Sequence, residues 1–293
     1  MKKLFIAIAM ITALGLNAAA WFDGGLSATT GPSGYSRTDA YITIGGESIW
    51  VKPALMRQDA DSLDKAFNTY SVRVGKESAV YTLAGEAGTT PSTQYSAASK
   101  YSSTFFGGDI TFSLTPGKGG HGRMAGPNAR AASGGGEGVT GVDVGAGVKH
   151  TDHKVDSTVA AQDGKTGQNE LSLFAGAKIL MVRLGASWTG FSYGSEKASA
   201  MVDPVAGLSY ALLGVLPKSS VNVRLDIPAT VPMIAPYVTY TTTKYKGGVD
   251  DSNAYAFGAY IDLNMIGDNV MYQIFDNGSH KNSYVTLNAG VKF

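Results

Sequence analysis

Much of the chain alternates between apolar and polar residues with a period of two. The last stretch shows this well, because it places apolar residues at every second position, at Val285, Leu287, Ala289, Val291 and Phe293. The side chains of a β-strand point alternately to its two faces, so this alternation predicts a strand with one apolar face. Alternation alone fits a soluble sheet as well as a barrel wall in lipid.

The same period recurs along the chain and predicts most of the remaining strands. Clear apolar faces run through residues 70–74, 79–83, 106–114, 142–148, 171–179, 182–188, 202–212, 221–227 and 255–263. Weaker strands are expected in 21–30, 40–51 and 270–275. The parity reverses at Leu180 and Met181 without turn residues, which indicates either a tight turn or a bulge.

The stretches between these strands predict connections. Residues 52–65, 89–100 and 151–168 are polar, and we interpret them as loops. Residues 116–138 form a long Gly-rich stretch, in which a packed element is not expected.

Charged residues in the clear strands all lie on the face opposite the apolar one. They are Arg73, Glu86, Asp109, Asp143, Lys149, Lys178, Arg183, Asp203, Arg224, Asp226, Asp262 and Lys292. A lysine or arginine on the lipid face of a barrel costs about 2–4 kcal/mol at mid-membrane, which explains a face without charge. A soluble sandwich would show the same segregation, but strands of roughly 9–12 residues favour tilted membrane spans.

Aromatic residues near the strand ends support the same interpretation. Tyrosine and tryptophan are typical of the two membrane interfaces, where their rings form girdles around a barrel. The candidates for such girdles are Trp50, Tyr70, Trp188, Tyr193, Tyr210 and Tyr255.

The first twenty residues have the pattern of a signal peptide. Two lysines, Lys2 and Lys3, precede an apolar run over residues 4–16 and a small-residue site that ends at Ala20. We therefore expect cleavage after residue 20, which leaves 21–293 as a single domain. The chain has no cysteine, so neither a disulfide framework nor a lipid-anchored cysteine is possible.

Composition narrows the class further. The formal net charge is +1, so the chain lacks the basic excess that nucleic-acid binding requires. Charged residues make up 16% of the chain, below the ~25% usual for soluble domains. After Leu16 no apolar run reaches the ~20 residues of a helical membrane span. Export, low charge and the absence of a helical span together indicate β-structure in an outer membrane.

These features resemble the outer-membrane β-barrel proteins of Gram-negative-type bacteria. The resemblance implies an all-β fold, a single transmembrane antiparallel up-and-down barrel with Gly-rich loops. We expect about twelve strands, with either the N-terminal segment or residues 270–275 outside the wall, and fourteen is the alternative. The resemblance also implies contact with outer-membrane lipid, periplasmic chaperones and the barrel-assembly machinery. In that class the machinery recognises the final strand, here through Val285, Leu287, Ala289, Val291 and Phe293.

The charged face suggests a channel as the first functional hypothesis. The candidate lumen-lining residues are Arg73, Glu86, Asp109, Asp143, Lys149, Lys178, Arg183, Asp203, Arg224, Asp226 and Asp262. Acidic and basic residues are nearly balanced among them, whereas strongly selective pores carry one sign at the constriction. The balance fits a passive, weakly charge-selective pore for small solutes, and equally a lumen filled by ion pairs.

Two other classes of function are alternatives to a channel, an enzyme and a structural or recognition barrel. A lipid-modifying enzyme needs a catalytic constellation, and the four histidines provide none. His150, Asp152 and His153 bring two imidazoles and a carboxylate close together in sequence, as a metal site requires. The spacing matches no strong motif, however, and a solvated loop is the preferred interpretation. We predict no catalytic, cofactor or metal site. The third class is a structural or surface-recognition barrel that displays its loops.

Overall fold

The computed structural model describes residues 21–46, 48–114, 123–129, 140–160, 163–180, 182–194, 216–227, 233–248, 250–263 and 265–293. The described residues contain fourteen β-strands, numbered here in chain order. They are β1 (Trp21–Thr30), β2 (Ser36–Gly45), β3 (Ile49–Asp59), β4 (Phe67–Glu77), β5 (Tyr81–Ser96), β6 (Ser99–Ser113), β7 (Thr140–Ser157), β8 (Gly164–Ile179), β9 (Val182–Tyr193), β10 (Pro217–Asp226), β11 (Ile234–Tyr245), β12 (Ser252–Asp262), β13 (Ile266–Asp276) and β14 (Lys281–Lys292). The predicted signal peptide and the predicted strand 202–212 lie outside the described residues.

The strands form one closed antiparallel barrel. Each strand pairs with its neighbours in sequence, and β1 pairs with β14 from Asp23 opposite Lys292 to Thr30 opposite Val285. At the end of this seam the backbone N–H of Phe22 donates to the carbonyl of Phe293 at 2.9 Å. Closure leaves no strand edge unpaired, which is what a β-structure surrounded by lipid requires.

Fourteen strands is the alternative number from the sequence. The predicted strand 40–51 is in fact the end of β2 and the beginning of β3, between which the Gly46 N–H donates to the carbonyl of Ile49 at 2.8 Å. The N-terminal segment is β1, which pairs with β2 on one side and β14 on the other. Residues 270–275 belong to β13, which pairs with β12 and β14. Both are therefore part of the wall. The described residues include no helix that is long and apolar enough to cross a membrane.

Three of the predicted connections are largely strand. β3 continues to Asp59 through the stretch 52–65, although Pro53 cannot donate to the ladder. β5 to β8 are 15–18 residues long and extend through most of 89–100 and 151–168. These extensions carry polar residues on both faces, so they lack the apolar alternation by which the other strands are identified. Backbone pairing with the adjacent strand holds them instead.

The parity reversal at Leu180 is a turn. Ile179 pairs with Val182, so only two residues connect β8 to β9. Leu180 has a φ of 54°, in the left-handed region that two-residue hairpin turns use. The parity of the apolar positions therefore reverses because the chain turns from β8 into β9, and not because of a bulge within one strand.

The outer surface of the barrel is a belt of exposed apolar side chains. Representative members, each between 41% and 61% exposed, are Leu26, Ile42, Leu83, Phe106, Phe112, Leu173, Leu184, Phe257, Val270 and Leu287. Outward-facing charges lie near the strand ends, as with Arg57 and Asp59 on β3 and Lys154 on β7. An apolar surface that encircles the molecule matches the lipid-facing band of a membrane barrel.

The predicted aromatic girdle is found in part. Tyr70, Trp188 and Tyr255 are exposed on the outer surface, and Tyr255 packs against Tyr240 with ring centroids 5.1 Å apart. The assignment is wrong for two candidates, whose strand parity turns them inward. Trp50 lines an interior cavity, and the Tyr193 hydroxyl donates to the carbonyl of Pro217 at 2.8 Å. Tyr210 lies outside the described residues.

Candidate functional site

Part of the Gly-rich stretch lies inside the barrel. Residues 123–129, here called the inner segment, include Arg123, Met124 and Ala125, each at most 5% exposed. The expectation that nothing within 116–138 packs is therefore wrong for these residues. Their contacts are with inward-facing side chains of β4 to β9 and not with one another in a regular element, so no periodicity in the sequence signals them.

Arg123 anchors the beginning of the inner segment. Its guanidinium donates to the Thr82 hydroxyl at 3.0 Å and to the carbonyl of Ser78 at 2.9 Å. Its own carbonyl accepts a hydrogen bond from Arg183 at 3.2 Å. The next residue is held as well, because the backbone N–H of Met124 donates to the Asp143 carboxylate at 2.9 Å.

Asn128 anchors the other end through a charged network on β4, β5 and β6. Arg73 donates to Asp109 at 2.5 Å, to Glu86 at 3.3 Å and to the side-chain oxygen of Asn128 at 2.9 Å. The amide nitrogen of Asn128 donates in turn to Asp109 at 2.5 Å. Three predicted lumen residues, Arg73, Glu86 and Asp109, therefore meet at one site, together with a residue of the inner segment.

Glycines in the wall make room for this segment. A Cβ added at Gly176 would lie 2.6 Å from the Met124 Cβ, and one at Gly185 would lie 2.6 Å from the Met124 carbonyl oxygen. Real Cβ atoms do not approach other atoms so closely, so the backbone of Met124 can occupy this position only beside glycine.

Three more of the predicted lumen residues are buried around the inner segment. Asp143, Lys178 and Arg183 are 0%, 6% and 2% exposed. Lys178 lies directly opposite Arg183 in the β8–β9 ladder, and Asp143 lies diagonally across on β7. These side chains face inward but fill the barrel on the side of β5 to β9.

The rest of the barrel interior contains two cavities, lined mainly by β1 to β4 and β12 to β14, and this part is here called the open side. The lower cavity, about 620 Å³, lies at the end that carries Trp21 and Lys292. The upper cavity, about 370 Å³, is lined by residues nearer the other end, such as Gln58 and Tyr101. Tyr41 and Lys52 line both, with the Lys52 ammonium 3.9 Å from the centroid of the Tyr41 ring. The two cavities therefore meet at this pair.

Other predicted lumen residues form ion pairs at the wall of the open side. Asp262 accepts two hydrogen bonds of 2.9 Å from Lys292. Arg224 pairs with Asp226 at 2.7 Å, and its guanidinium carbon lies 3.9 Å from the centroid of the Tyr237 ring. These charges neutralise one another locally, which leaves little net charge on this part of the wall.

Lys149 and Asp203 complete the predicted set. Lys149 lines the upper cavity, where its ammonium lies 4.5 Å from the centroid of the Phe105 ring. Asp203 lies outside the described residues.

His150 and His153 point to opposite faces of β7. His150 is on the outer surface, where it hydrogen-bonds Asn169 at 2.7 Å and lies 3.3 Å from Asp152. His153 points into the barrel, where it hydrogen-bonds the Tyr101 hydroxyl at 2.9 Å. The stretch is a strand and not the solvated loop we expected, and a three-residue spacing on a strand separates the two imidazoles. In the described part of the chain, no group of three histidine or acidic residues is arranged to hold a metal.

The sequence interpretation missed the residues of the open side. Trp21, Tyr41, Trp50 and Lys52 all line the lower cavity. Trp50 and Lys52 alternate with apolar residues of β3, so parity would have identified them if 52–59 had been interpreted as strand. Nothing in the local sequence indicates the role of Asn128.

Comparisons with known proteins agree with the barrel. No protein-family model and no curated protein sequence matches the chain. Among solved structures, CdiB from Acinetobacter baumannii aligns with a TM-score of 0.53 and 10% identity, over 94% of this chain and 60% of CdiB. The chain thus spans less than two thirds of the length of CdiB.

Two further barrels align with lower scores. A loop-deletion mutant of OmpT, an outer membrane protein of Vibrio cholerae, has a TM-score of 0.45 and 7% identity, over 94% of this chain and 98% of OmpT. The outer membrane protein OprD from Pseudomonas aeruginosa has a TM-score of 0.40 and 10% identity, over 96% and 95% of the two chains. At 10% identity the likeness to CdiB concerns the fold. This chain has the closed-barrel fold of the outer-membrane β-barrel proteins.

Proposed function

We propose that this chain is an outer-membrane channel through which small polar solutes pass passively along the open side of the barrel. The observation that carries the proposal is the meeting of the upper and lower cavities at Tyr41 and Lys52. Together the cavities place polar and aromatic side chains along the inside of β1 to β4. A lumen with such a lining can hold water and small polar solutes, which an apolar core would exclude.

Location in the outer membrane is part of the same proposal. The exposed apolar belt requires a lipid surface, because a soluble protein rarely exposes an apolar patch of more than a few hundred Å². The signal peptide would deliver the chain to the periplasm, with chaperones keeping it unfolded there. The apolar positions of the final strand would then engage the assembly machinery. Val285, Leu287 and Val291 on the outside of β14, and Phe293 directly after it, are 40–66% exposed, so their side chains are accessible there.

Charge selectivity should be weak and should depend on the junction of the two cavities. Lys52 places a positive charge there, next to the ring of Tyr41. The pairs Arg224–Asp226 and Lys292–Asp262 are neutral overall. Basic residues slightly outnumber acidic ones in the lining of the two cavities, which gives a modest preference for anions.

Planar-bilayer recording of the refolded protein tests this proposal. We expect stepwise conductance with a small anion preference, which Lys52→Glu shifts toward cations. The matched control is Lys154→Glu, since Lys154 is on the outer face of β7 and pairs with Asp156 at 2.7 Å. The control should conduct like the parent protein. Arg183 is unsuitable for this test, because it is buried beneath the inner segment.

The second candidate is a structural barrel with a closed lumen. The buried anchors of the inner segment favour it, since Arg123 and Asn128 are tied to the wall by several hydrogen bonds. A protein that migrates as a folded, heat-modifiable barrel in detergent gels but never conducts would support this candidate over the channel. Neither candidate assigns a catalytic residue, a cofactor or a metal.

A further inference from the structure

Two tryptophans alternate with two glycines across the lower end of the open side. Trp21 on β1 is paired with Gly45 on β2, and Gly45 is paired in turn with Trp50 on β3. On its other side Trp50 is paired with Gly75 on β4. A Cβ at Gly45 would overlap the Trp21 indole, and a Cβ at Gly75 would overlap the Trp50 indole. Each indole therefore occupies the space beside a glycine of the next strand, on the inside of the wall.

This arrangement leaves the rings accessible from the lumen. Trp21 and Trp50 are only partly buried, and both line the lower cavity. The indole N–H of Trp21 donates to the carbonyl of Gly46 at 3.1 Å, which fixes the orientation of its ring. An aromatic ring held against a glycine presents its other side to the cavity as a preformed apolar platform. At Trp50 this platform is bordered by the guanidinium carbon of Arg73, 6.0 Å from the ring centroid.

Polar groups surround the two rings. Asp23, Asn269 and Asn288 line the same cavity and provide hydrogen-bond acceptors and donors. The inward-facing charged residues of the cavity lining are the basic Lys52, Arg73, Arg123 and Lys292 and the acidic Asp23, Glu77 and Asp262. The two signs nearly balance, so the cavity has only a weak overall attraction for a charged solute.

Neutral saccharides match this combination of groups. A pyranose ring has an apolar C–H face that stacks on an aromatic plane, and its hydroxyls hydrogen-bond to carboxylates and amides at its edge. We propose that the lower cavity is a saccharide-binding site, with Trp21 and Trp50 as its stacking platforms. The inference rests on the proposed channel function, for which it names the class of solute.

Tryptophan fluorescence provides a direct test, because the chain has three tryptophans and the third, Trp188, is on the outer surface. The variant Trp188→Phe therefore reports only on Trp21 and Trp50. Maltohexaose and cellohexaose, one α-linked and one β-linked, are titrated into the refolded variant in detergent. We expect a saturable change in emission with at least one of them and no change with a polyethylene glycol of similar mass.

Two substitutions locate the site. In the Trp188→Phe protein, Trp50→Ala should weaken saccharide affinity by about tenfold, the value of one good stacking contact. Gly75→Ala should also weaken it, because the added methyl group displaces the Trp50 ring. The control is Gly85→Ala, since Gly85 is on the outer face of β5 and an added Cβ there makes only an ordinary contact of 3.7 Å. Each variant is first checked for heat-modifiable migration, so that loss of folding is recognised.

Current recording separates this inference from the channel proposal. A saccharide that binds should also reduce ion current through the parent protein in a concentration-dependent way. A barrel that conducts but shows neither an emission change nor current block overturns the saccharide site and leaves the channel standing. A barrel that changes emission with a saccharide but never conducts contradicts the channel, while the binding site itself stands. Emission changes that persist unweakened in Trp50→Ala and Gly75→Ala would place the saccharide elsewhere and overturn the inference.

Discussion

The side-chain amide of Asn128 donates a hydrogen bond of 2.5 Å to the carboxylate of Asp109. Arg73 closes the group, because it donates both to Asp109 and to the side-chain oxygen of Asn128. The carboxylate is 4% exposed, so its charge depends on these two donors. A glycine-rich connection thus supplies one of the partners that a buried charge of the wall needs.

Replacing Asn128 should loosen the inner segment. In Asn128→Ala, Asp109 loses one of its two donors, and we expect a destabilisation of about 1–3 kcal/mol. If the inner segment limits the width of the pore, single-channel conductance should rise at the same time. Urea unfolding in lipid vesicles and planar-bilayer recording measure the two effects.

Asn222→Ala is the control for this experiment. Asn222 also faces the lumen, but its amide donates to Thr241 on the neighbouring strand at 2.7 Å and not to the inner segment. The single-channel conductance of Asn222→Ala should equal that of the parent protein. Equal conductance in both variants would show that the inner segment does not limit ion flow.

Gly185 should tolerate no side chain. Its added Cβ would lie 2.6 Å from the carbonyl oxygen of Met124, a backbone atom that cannot rotate away. Gly185→Ala should therefore reduce the free energy of unfolding by about 1–3 kcal/mol and so lower the temperature of the thermal transition. Gly267→Ala, which adds the same methyl group in open space, should leave the transition unchanged. An equal effect of both substitutions would point to strand propensity as the cause.

A charged residue introduced into the outer apolar belt should destabilise the barrel more strongly the deeper it lies in the membrane. Ile42 is 46% exposed on β2, whereas Ser36 is on the same face of the same strand at its upper end, opposite Asp59. Ile42→Arg should cost about 2–4 kcal/mol in lipid vesicles, because the guanidinium enters hydrocarbon. Ser36→Arg should cost little, since it is near water and a carboxylate. Equal costs for the two variants, measured by urea titration, would contradict the membrane position of the belt.

Substitutions at Phe293 and Phe22 distinguish an effect on assembly from an effect on the stability of the folded barrel. Its ring lies 6.1 Å from that of Phe22, centroid to centroid, so either residue can be truncated to remove the same contact. Phe293→Ala should slow insertion by reconstituted assembly machinery several-fold, whereas Phe22→Ala should not. Spontaneous refolding into detergent should be similar for both. Equal insertion rates for the two variants would show that Phe293 is not part of the assembly signal.

The sequence predicted the two faces of the barrel well, because lipid imposes one simple rule on every spanning strand. Leu173 and Leu287 are exposed as their parity requires, and Asp143 and Lys178 are buried as theirs requires. The strand ends were not predictable in the same way. Beyond the membrane both faces of a strand can be polar, so the outer parts of β5 to β8 resemble loops.

The contacts inside the barrel were largely beyond sequence reasoning. Parity turns Arg73 and Asp109 inward but does not show that Asn128, distant in sequence, completes their network. Likewise, only the structure shows that Gly176 accommodates Met124 and that Gly75 accommodates Trp50. Such pairs depend on the register between strands, which local composition does not encode.

The ladder between β1 and β14 joins the parts of the wall that are furthest apart along the chain. The hydroxyls of Thr29 and Thr286 approach to 2.8 Å across a separation of 257 residues. Every other ladder joins consecutive strands, so the sheet can grow hairpin by hairpin into a curved ribbon before this one forms. Such a ribbon has two complementary edges, and another copy of the ribbon can satisfy them as well as its own far end. The competition between a monomeric ring and an aggregate is therefore decided at this single junction, late in folding.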